Sequence, residues 1–448
     1  VLCQMVKKTS LFALFFCLIA LSFVPSALAL PNQKRPHGHS VPQQAEKERK
    51  IKPSVSPVPA FATARNHYPM VLVHGLAGWG RDEMQGFRYW GGFNDIEQDL
   101  NHHGYAAYTV AVGPFSSNWD RAVELYAQIK GGRADYGEAH AKKHGHARFG
   151  RTYTGLYPEW GEIDAVTHQP KKIHLVGHSL GGQTIRVLSQ LLANGDENER
   201  HATPPDQLSP LFNDKKKPWI HSLLTITSPH DGSALTYRVN EFVPHLQQIV
   251  ALAAAATGST HNPQFDFKLD QWGLKRMPGE SFASYYQRVC DSPIWEKSKD
   301  TAEWDLSPEG ARQLNSWVKA QSGVYHFSVS AEQTDRQIST GHHIPEPLMN
   351  PLFYSSSVYL GSYTQRGPDK VTIDSSWWEN DGLVHASSMD GPSTDDVVPY
   401  HAQPQKGKWN HLGIMHSYDH IDVIGLGVRD MRAWYRGLGE LLYSLPIQ

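Results

Sequence analysis

The chain has 448 residues, of which 40% are hydrophobic, 11% aromatic and 19% charged. That apolar share is ample for a large core and excludes a disordered, collagenous or coiled-coil chain. A net charge of −2 offers no basic face for nucleic acid, and three cysteines are too few for a disulfide scaffold.

The first segment reads as a secretory leader. Lys7 and Lys8 form a positive region, residues 11–24 an apolar run, and Ala27-Leu28-Ala29 a small-x-small cleavage site, which predicts removal of residues 1–29. The run falls short of the about 20 residues a bilayer span needs. Residues 30–60 are rich in Pro, Lys, Gln and Glu and read as a disordered linker or short pro-segment. Cys3 and Cys17 leave with the leader, so Cys290 has no partner for an intrachain disulfide. From 61 to 448 one large domain is expected.

Pro69-Met70-Val71-Leu72-Val73 reads as a buried strand and runs into His74-Gly75-Leu76. Ile173-His174-Leu175-Val176 reads as a second buried strand. It is followed at once by Gly177-His178-Ser179-Leu180-Gly181-Gly182, and then by a helical pattern from Gln183 to Asn194 that stops at Gly195. Strand, G-x-S-x-G and helix in that order is the setting of a nucleophile elbow. It predicts an α/β-hydrolase fold, with a mostly parallel central sheet and helices on both faces. Ser179 is the candidate nucleophile. The backbone N–H groups of Leu180 and of Leu76, after the HG turn, are the candidate oxyanion donors.

Further along, Val239, Phe242, Val243, Leu246, Ile249 and Val250 mark a helical apolar stripe, as a core helix would. In this fold the acid follows the serine in sequence and the histidine follows the acid. Asp381 in Glu379-Asn380-Asp381-Gly382 fits the acid, with Asp231 as its rival. His420, in a loop before the last helical pattern, fits the base, with His411 and His416 as rivals.

Several long strings carry a resemblance that one motif could not. They are HGLAGWGRDEM at 74–84, YWGG at 89–92, VGPFSSNWDRA at 112–122, KHGHARFGRTY at 143–153, DFKLDQWGL at 266–274, ENDGLV at 379–384 and DHIDVIG at 419–425. From about residue 67 to 443 the chain resembles secreted bacterial triacylglycerol lipases of the Geobacillus/Bacillus–Staphylococcus type. The resemblance implies a Ser179–Asp381–His420 triad, with Leu76 and Leu180 lining the oxyanion hole. The thermophilic branch usually has Ala at 177, Phe at 76 and Gln at 180, so this chain departs in pocket shape more than in chemistry. The resemblance also makes residues 235–256 a helical lid over an apolar acyl groove, opened by an oil–water interface.

Two metals enter the same way. Asp120, His140, His146 and Asp270 match positions that hold a structural zinc ion in that family, and two imidazoles with two carboxylates suit tetrahedral Zn²⁺. Relatives also bind Ca²⁺ beside the catalytic histidine. Asp422 matches one carboxylate there, but Gly427-Val428 replaces an Asp-Pro pair and Leu348 replaces a glycine, so no tight calcium site is expected. The expectation is thus a secreted serine hydrolase acting on triacylglycerols at an oil–water interface. A short-chain esterase or phospholipase with the same triad and, from another class, a non-catalytic lipid-binding protein are the alternatives.

Overall fold

The computed structural model describes residues 65–238 and 265–447. The leader, the linker and residues 239–256 of the expected lid lie outside the described residues. No helix among the described residues is long and apolar enough to cross a membrane.

Seven strands build the central sheet: β1 (Met70–Val73), β2 (Ala107–Val110), β3 (Ile173–His178), β4 (Ile220–Ile226), β5 (Tyr325–Glu332), β6 (Val397–Pro399) and β7 (Trp409–His416). Their order is β6-β7-β5-β4-β3-β1-β2, and every pairing in this sheet is parallel. β3 and β4 are buried along their whole length, as strands covered on both faces must be. The two-residue period sorts their side chains. Met70, Leu72, Val176 and Leu224 enter one core, while Val71, Val73, Leu175 and Leu223 enter the other.

Helices cover both faces, as the elbow pattern predicts. α1 (Ile96–His102) contributes Ile96 and Leu100 to the first core. α2 (Asn118–Lys130) contributes Ala122, Val123 and Leu125 to the second. α3 (Glu138–His144) follows, and then α4 (Leu180–Asn194), whose Ile185, Leu188 and Leu191 also enter the second core. α5 (Ala302–Leu306) is short. The last helix, α6 (Arg432–Tyr443), closes the first core with Leu438, Leu441 and Leu442.

The strand order reverses between β1 and β3, and the crevice at the carboxyl ends of those strands is where such sheets bind ligands. β1 and β3 are hydrogen-bonded neighbours, from Met70 opposite His174 to Val73 opposite Gly177. α4 comes in so close that a Cβ on Gly181 would lie 2.2 Å from the carbonyl oxygen of Val73 and 2.8 Å from that of His74. Both are backbone atoms and cannot rotate away. Gly181→Ala is therefore expected to destabilise the protein by about 1–3 kcal/mol, read as a lowered thermal midpoint. An unchanged midpoint would mean that the helix moves freely against β1.

Candidate active site

Ser179 lies between β3 and α4 with φ 55° and ψ −129°, a left-handed backbone unusual for a side-chain-bearing residue. The turn is held on both sides. The Ser179 N–H donates to the Ile226 carbonyl at the end of β4 (2.9 Å), and the Ser179 carbonyl accepts from Gly182 (2.9 Å). No side chain caps α4. The N–H groups of Leu76 and Leu180 donate to no described residue, so both remain open to a developing negative charge.

The turn after β1 is fixed from within. Arg121, fully buried in α2, donates from Nη1 to Gly113 O (2.7 Å), from Nε to Thr184 Oγ1 (2.8 Å) and from Nη2 to His74 O. Burial lowers this guanidinium to about 10, still charged at neutral pH.

His420 follows β7, and Asp381 sits in the connection between β5 and β6. His420 Nδ1–H donates to Asp381 Oδ2 at 2.6 Å, and the His420 N–H donates to the Asp381 carbonyl at 3.0 Å. Asp381 is fully buried, and its Oδ1 accepts from the N–H of Leu383 (3.0 Å) and of Val384 (2.8 Å). With Nδ1 carrying the proton, Nε2 is left as the basic nitrogen.

The rivals are engaged elsewhere. Asp231 accepts from Asn315 and Ser393. His411 lies between Ser328 and Asp390, and His416 pairs with Glu332 at 2.6 Å.

Ser179 and His420 line one cavity, with Leu76, Leu235, Leu306, Leu383, Ile424 and Leu426 around them. An apolar chain is what such a wall would accept.

The sequence reading missed a relay beneath this cavity. His178 Nε2–H donates to the His420 carbonyl at 3.0 Å. Its Nδ1 accepts from the Tyr89 hydroxyl at 2.6 Å, and Tyr89 Oη accepts from the Gly75 N–H at 2.9 Å. Burial drives the His178 imidazole well below its ordinary value, so it stays neutral and the direction of the chain is fixed. The only sequence signal was the identity of the residue beside Ser179.

A second cluster lies outside the cavity. Asp120 in the first turn of α2, His140 in α3, His146 just beyond α3 and Asp300 just before α5 bring one ligand atom each to within 4.8 Å of one another. His140 Nε2 is 3.3 Å from Asp120 Oδ1 and 3.2 Å from Asp300 Oδ2, while His146 Nε2 is 3.2 Å from Asp300 Oδ2 and 4.0 Å from Asp120 Oδ1. A tetrahedral zinc ion with bonds of about 2.0–2.1 Å has ligand–ligand edges of about 3.3–3.4 Å. Asp120 Oδ1 and His146 Nε2 are moreover buried with no hydrogen bond, the state that a missing cation explains. The residues therefore fit a metal ion.

Asp270 is not among them. Arg151 takes both its oxygens, from Nη2 to Oδ1 at 2.6 Å and from Nε to Oδ2 at 2.7 Å. A bidentate guanidinium pair of this kind leaves the carboxylate committed. Asp300 replaces Asp270 in the cluster. What the 266–274 string brings to the cluster is the neighbouring Gln271, whose Nε2 donates to Asp120 Oδ2 at 2.7 Å.

Residues 66–445 match the family described as "Lipase-like, C-terminal domain". The chain belongs to that family. Staphylococcus aureus Lipase 1 is 38% identical over 367 residues, which make up 81% of this chain and 51% of that protein. The chain thus spans about half the length of the curated relatives it matches. Among solved structures, this lipase-like domain is similar to EstA from Clostridium botulinum (44% identity, TM-score 0.80, 86% of this chain and 89% of that one). It is also similar to lipase 1 from Pelosinus fermentans (50%, 0.78, 85% and 100%) and to Staphylococcus hyicus lipase (32%, 0.69, 85% and 96%). The α/β-hydrolase architecture expected for a lipase-like domain is the one observed.

Two predictions test the cluster. Asp300→Asn is expected to lose the capacity to bind a divalent metal ion, and Asp270→Asn to keep it, by metal analysis of the purified proteins. The reverse result would restore the sequence assignment. The second concerns pH. Against the pull of burial, Asp120 and Asp300 hold His140 up at about 9, and His146 is raised in the same way. A metal ion would have to displace those protons, so the apparent affinity for added zinc should rise from pH 6.5 to about 9 and then level off, as read by calorimetric titration. In the metal-free protein the same shift stabilises the fold in full below 6.5, and that contribution is lost as pH rises through about 9.

Proposed function

We propose that the chain is a secreted lipase that hydrolyses carboxylic esters of triacylglycerols at an oil–water interface through an acyl-enzyme. The observation that carries this reading is the buried Asp381–His420 pair at 2.6 Å beside a serine held on a strained elbow in the same apolar cavity. The relatives named as lipases support it.

Ser179 Oγ attacks the ester carbonyl while His420 Nε2 takes its proton and then passes it to the leaving alkoxide. Asp381 holds the imidazole in that tautomer and stabilises its cation. The N–H groups of Leu76 and Leu180 hold the oxyanion, and each such donor is worth about 10²–10³ in rate. Water, activated by His420 in turn, releases the fatty acid. Leu235, Leu306 and Leu383 give the acyl chain an apolar wall. Residues 235–256 act as the lid: the 3₁₀ turn Ala234–Tyr237 that starts it carries Leu235 into the cavity. A zinc ion on Asp120, His140, His146 and Asp300 would crosslink α2, α3 and the approach to α5 without touching substrate. Residues 1–29 serve as the leader, and residues 30–60 as a linker to the catalytic domain.

The test is an initial-rate profile of the purified protein on emulsified triacylglycerols from short to long acyl chains, with Ser179→Ala as the blank. We expect turnover that extends to long chains and a loss of at least ~10³-fold in the variant, with fold and metal content unchanged. Retained turnover in Ser179→Ala would sink the mechanism. Activity confined to short chains would make the protein an esterase.

A further inference from the structure

His420 stands on a turn that carries two more carboxylates. Asp419 and Asp422 are only 2% and 5% exposed. Asp419 Oδ1 accepts from the N–H of Ile421 (3.0 Å) and of Asp422 (2.9 Å), and Oδ2 accepts from the N–H of Asn350 (3.0 Å). Two buried carboxylates this close disfavour each other's charge: burial and Asp422 push Asp419 up to about 7.

The cation that Asp422 faces is Arg429. Its Nε lies 3.3 Å from Asp422 Oδ2, and its Nη2 donates to the Ser417 carbonyl at 2.6 Å. Its guanidinium carbon sits 4.0 Å above the Tyr418 ring. Ser417 itself has a left-handed backbone, with φ 62°, which needs fixing from outside. One side chain therefore grips residues 417, 418 and 422, on both sides of His420.

The surroundings of Asp422 do not fit a calcium ion. Calcium takes six to eight oxygens. Position 427 supplies no carboxylate, and a Cβ on Gly427 would lie 2.1 Å from Asp422 Oδ1. The Asp422 carboxylate thus occupies the space that a ligating side chain at 427 would need. Asp419 is committed to three N–H groups, and the remaining Asp422 oxygen faces a guanidinium.

We propose that Arg429 is a positioning residue for His420, a tethered cation that locks the 417–422 turn in place of a bound divalent ion. The proposal rests on the reading of His420 as the base. Arg reaches the carbonyl and the carboxylate at once through its planar fork, which a lysine cannot do.

The test compares wild type with Arg429→Ala and Arg429→Lys, in micromolar zinc, with and without millimolar calcium chloride. Thermal unfolding checks that each variant is folded. Arg429→Ala is expected to lose roughly 10–100-fold in kcat, as displaced catalytic groups do, with KM changed by less than about twofold. Calcium chloride should restore little of that loss, because position 427 still supplies no carboxylate and Asp419 stays committed to its three N–H groups. Wild type should not respond to calcium, and Arg429→Lys should fall between the two. Three results would each overturn the proposal: an Arg429→Ala kcat within about twofold of wild type, activation of wild type or of Arg429→Ala by calcium, or a loss that the lysine does not relieve at all. The Ser179→Ala blank separates the two readings. An active blank removes the base that Arg429 would position, whereas a dead blank beside an unimpaired Arg429→Ala removes the clasp alone.

Discussion

Everything at the carboxyl edge of the sheet depends on how closely backbone can approach backbone around Ser179. Gly181 brings α4 onto the end of β1. Gly75 does the same from the other side, because a Cβ there would lie 2.7 Å from that of Ser179. This approach brings the turn after β1 against Ser179, and Leu76 and Ser179 line one cavity. It also forces φ 55° on the serine, a conformation that persists only where the neighbours over-determine it. Here they do so through Ile226, Gly182 and the buried Arg121. A loosely packed elbow would relax the backbone and lose the alignment together.

What could be read from the sequence follows from how local each signal is. β1, β3 and α4 announce themselves by apolar period and by glycine punctuation, and their observed bounds lie within three residues of those patterns. Asp381 and His420 were among several candidates by order alone. The strings ENDGLV and DHIDVIG single them out from Asp231, His411 and His416 by resemblance, and a 2.6 Å contact between distant loops joins them in three dimensions. Asp300 was invisible, since nothing in Ser298-Lys299-Asp300-Thr301 points to a metal ligand. The Asp270 assignment failed because a carboxylate inside a diagnostic string was credited with the role that the fold gives to another segment, while Arg151 claimed Asp270.

The metal cluster and the cavity are wired to each other although neither touches the other's chemistry. Asp300 leads directly into α5, whose Ala302 and Leu306 pack with Leu180 and Leu76. Asp120 is followed by Arg121, which holds the His74 carbonyl in the turn after β1. Both ends of the cluster thus lead within a few residues to the walls around the two candidate oxyanion donors. An altered cluster would reach the cavity as a change of shape before it reached it as a change of charge.

A metal ion held by Asp120 and Asp300 would close a ring of polypeptide, and β3, Ser179, α4 and β4 all lie inside it. Asp381, His420 and α6 lie outside. Ring closure acts on the denatured chain by removing conformations from the enclosed stretch, and it does nothing of the kind for the rest. β5, β6 and β7 lie outside the ring as well, yet β5 pairs with β4 inside it, so one sheet joins the nucleophile to its acid–base pair. A metal ion so placed would thus help to hold histidine against serine without touching either, and its loss would be felt across the whole sheet.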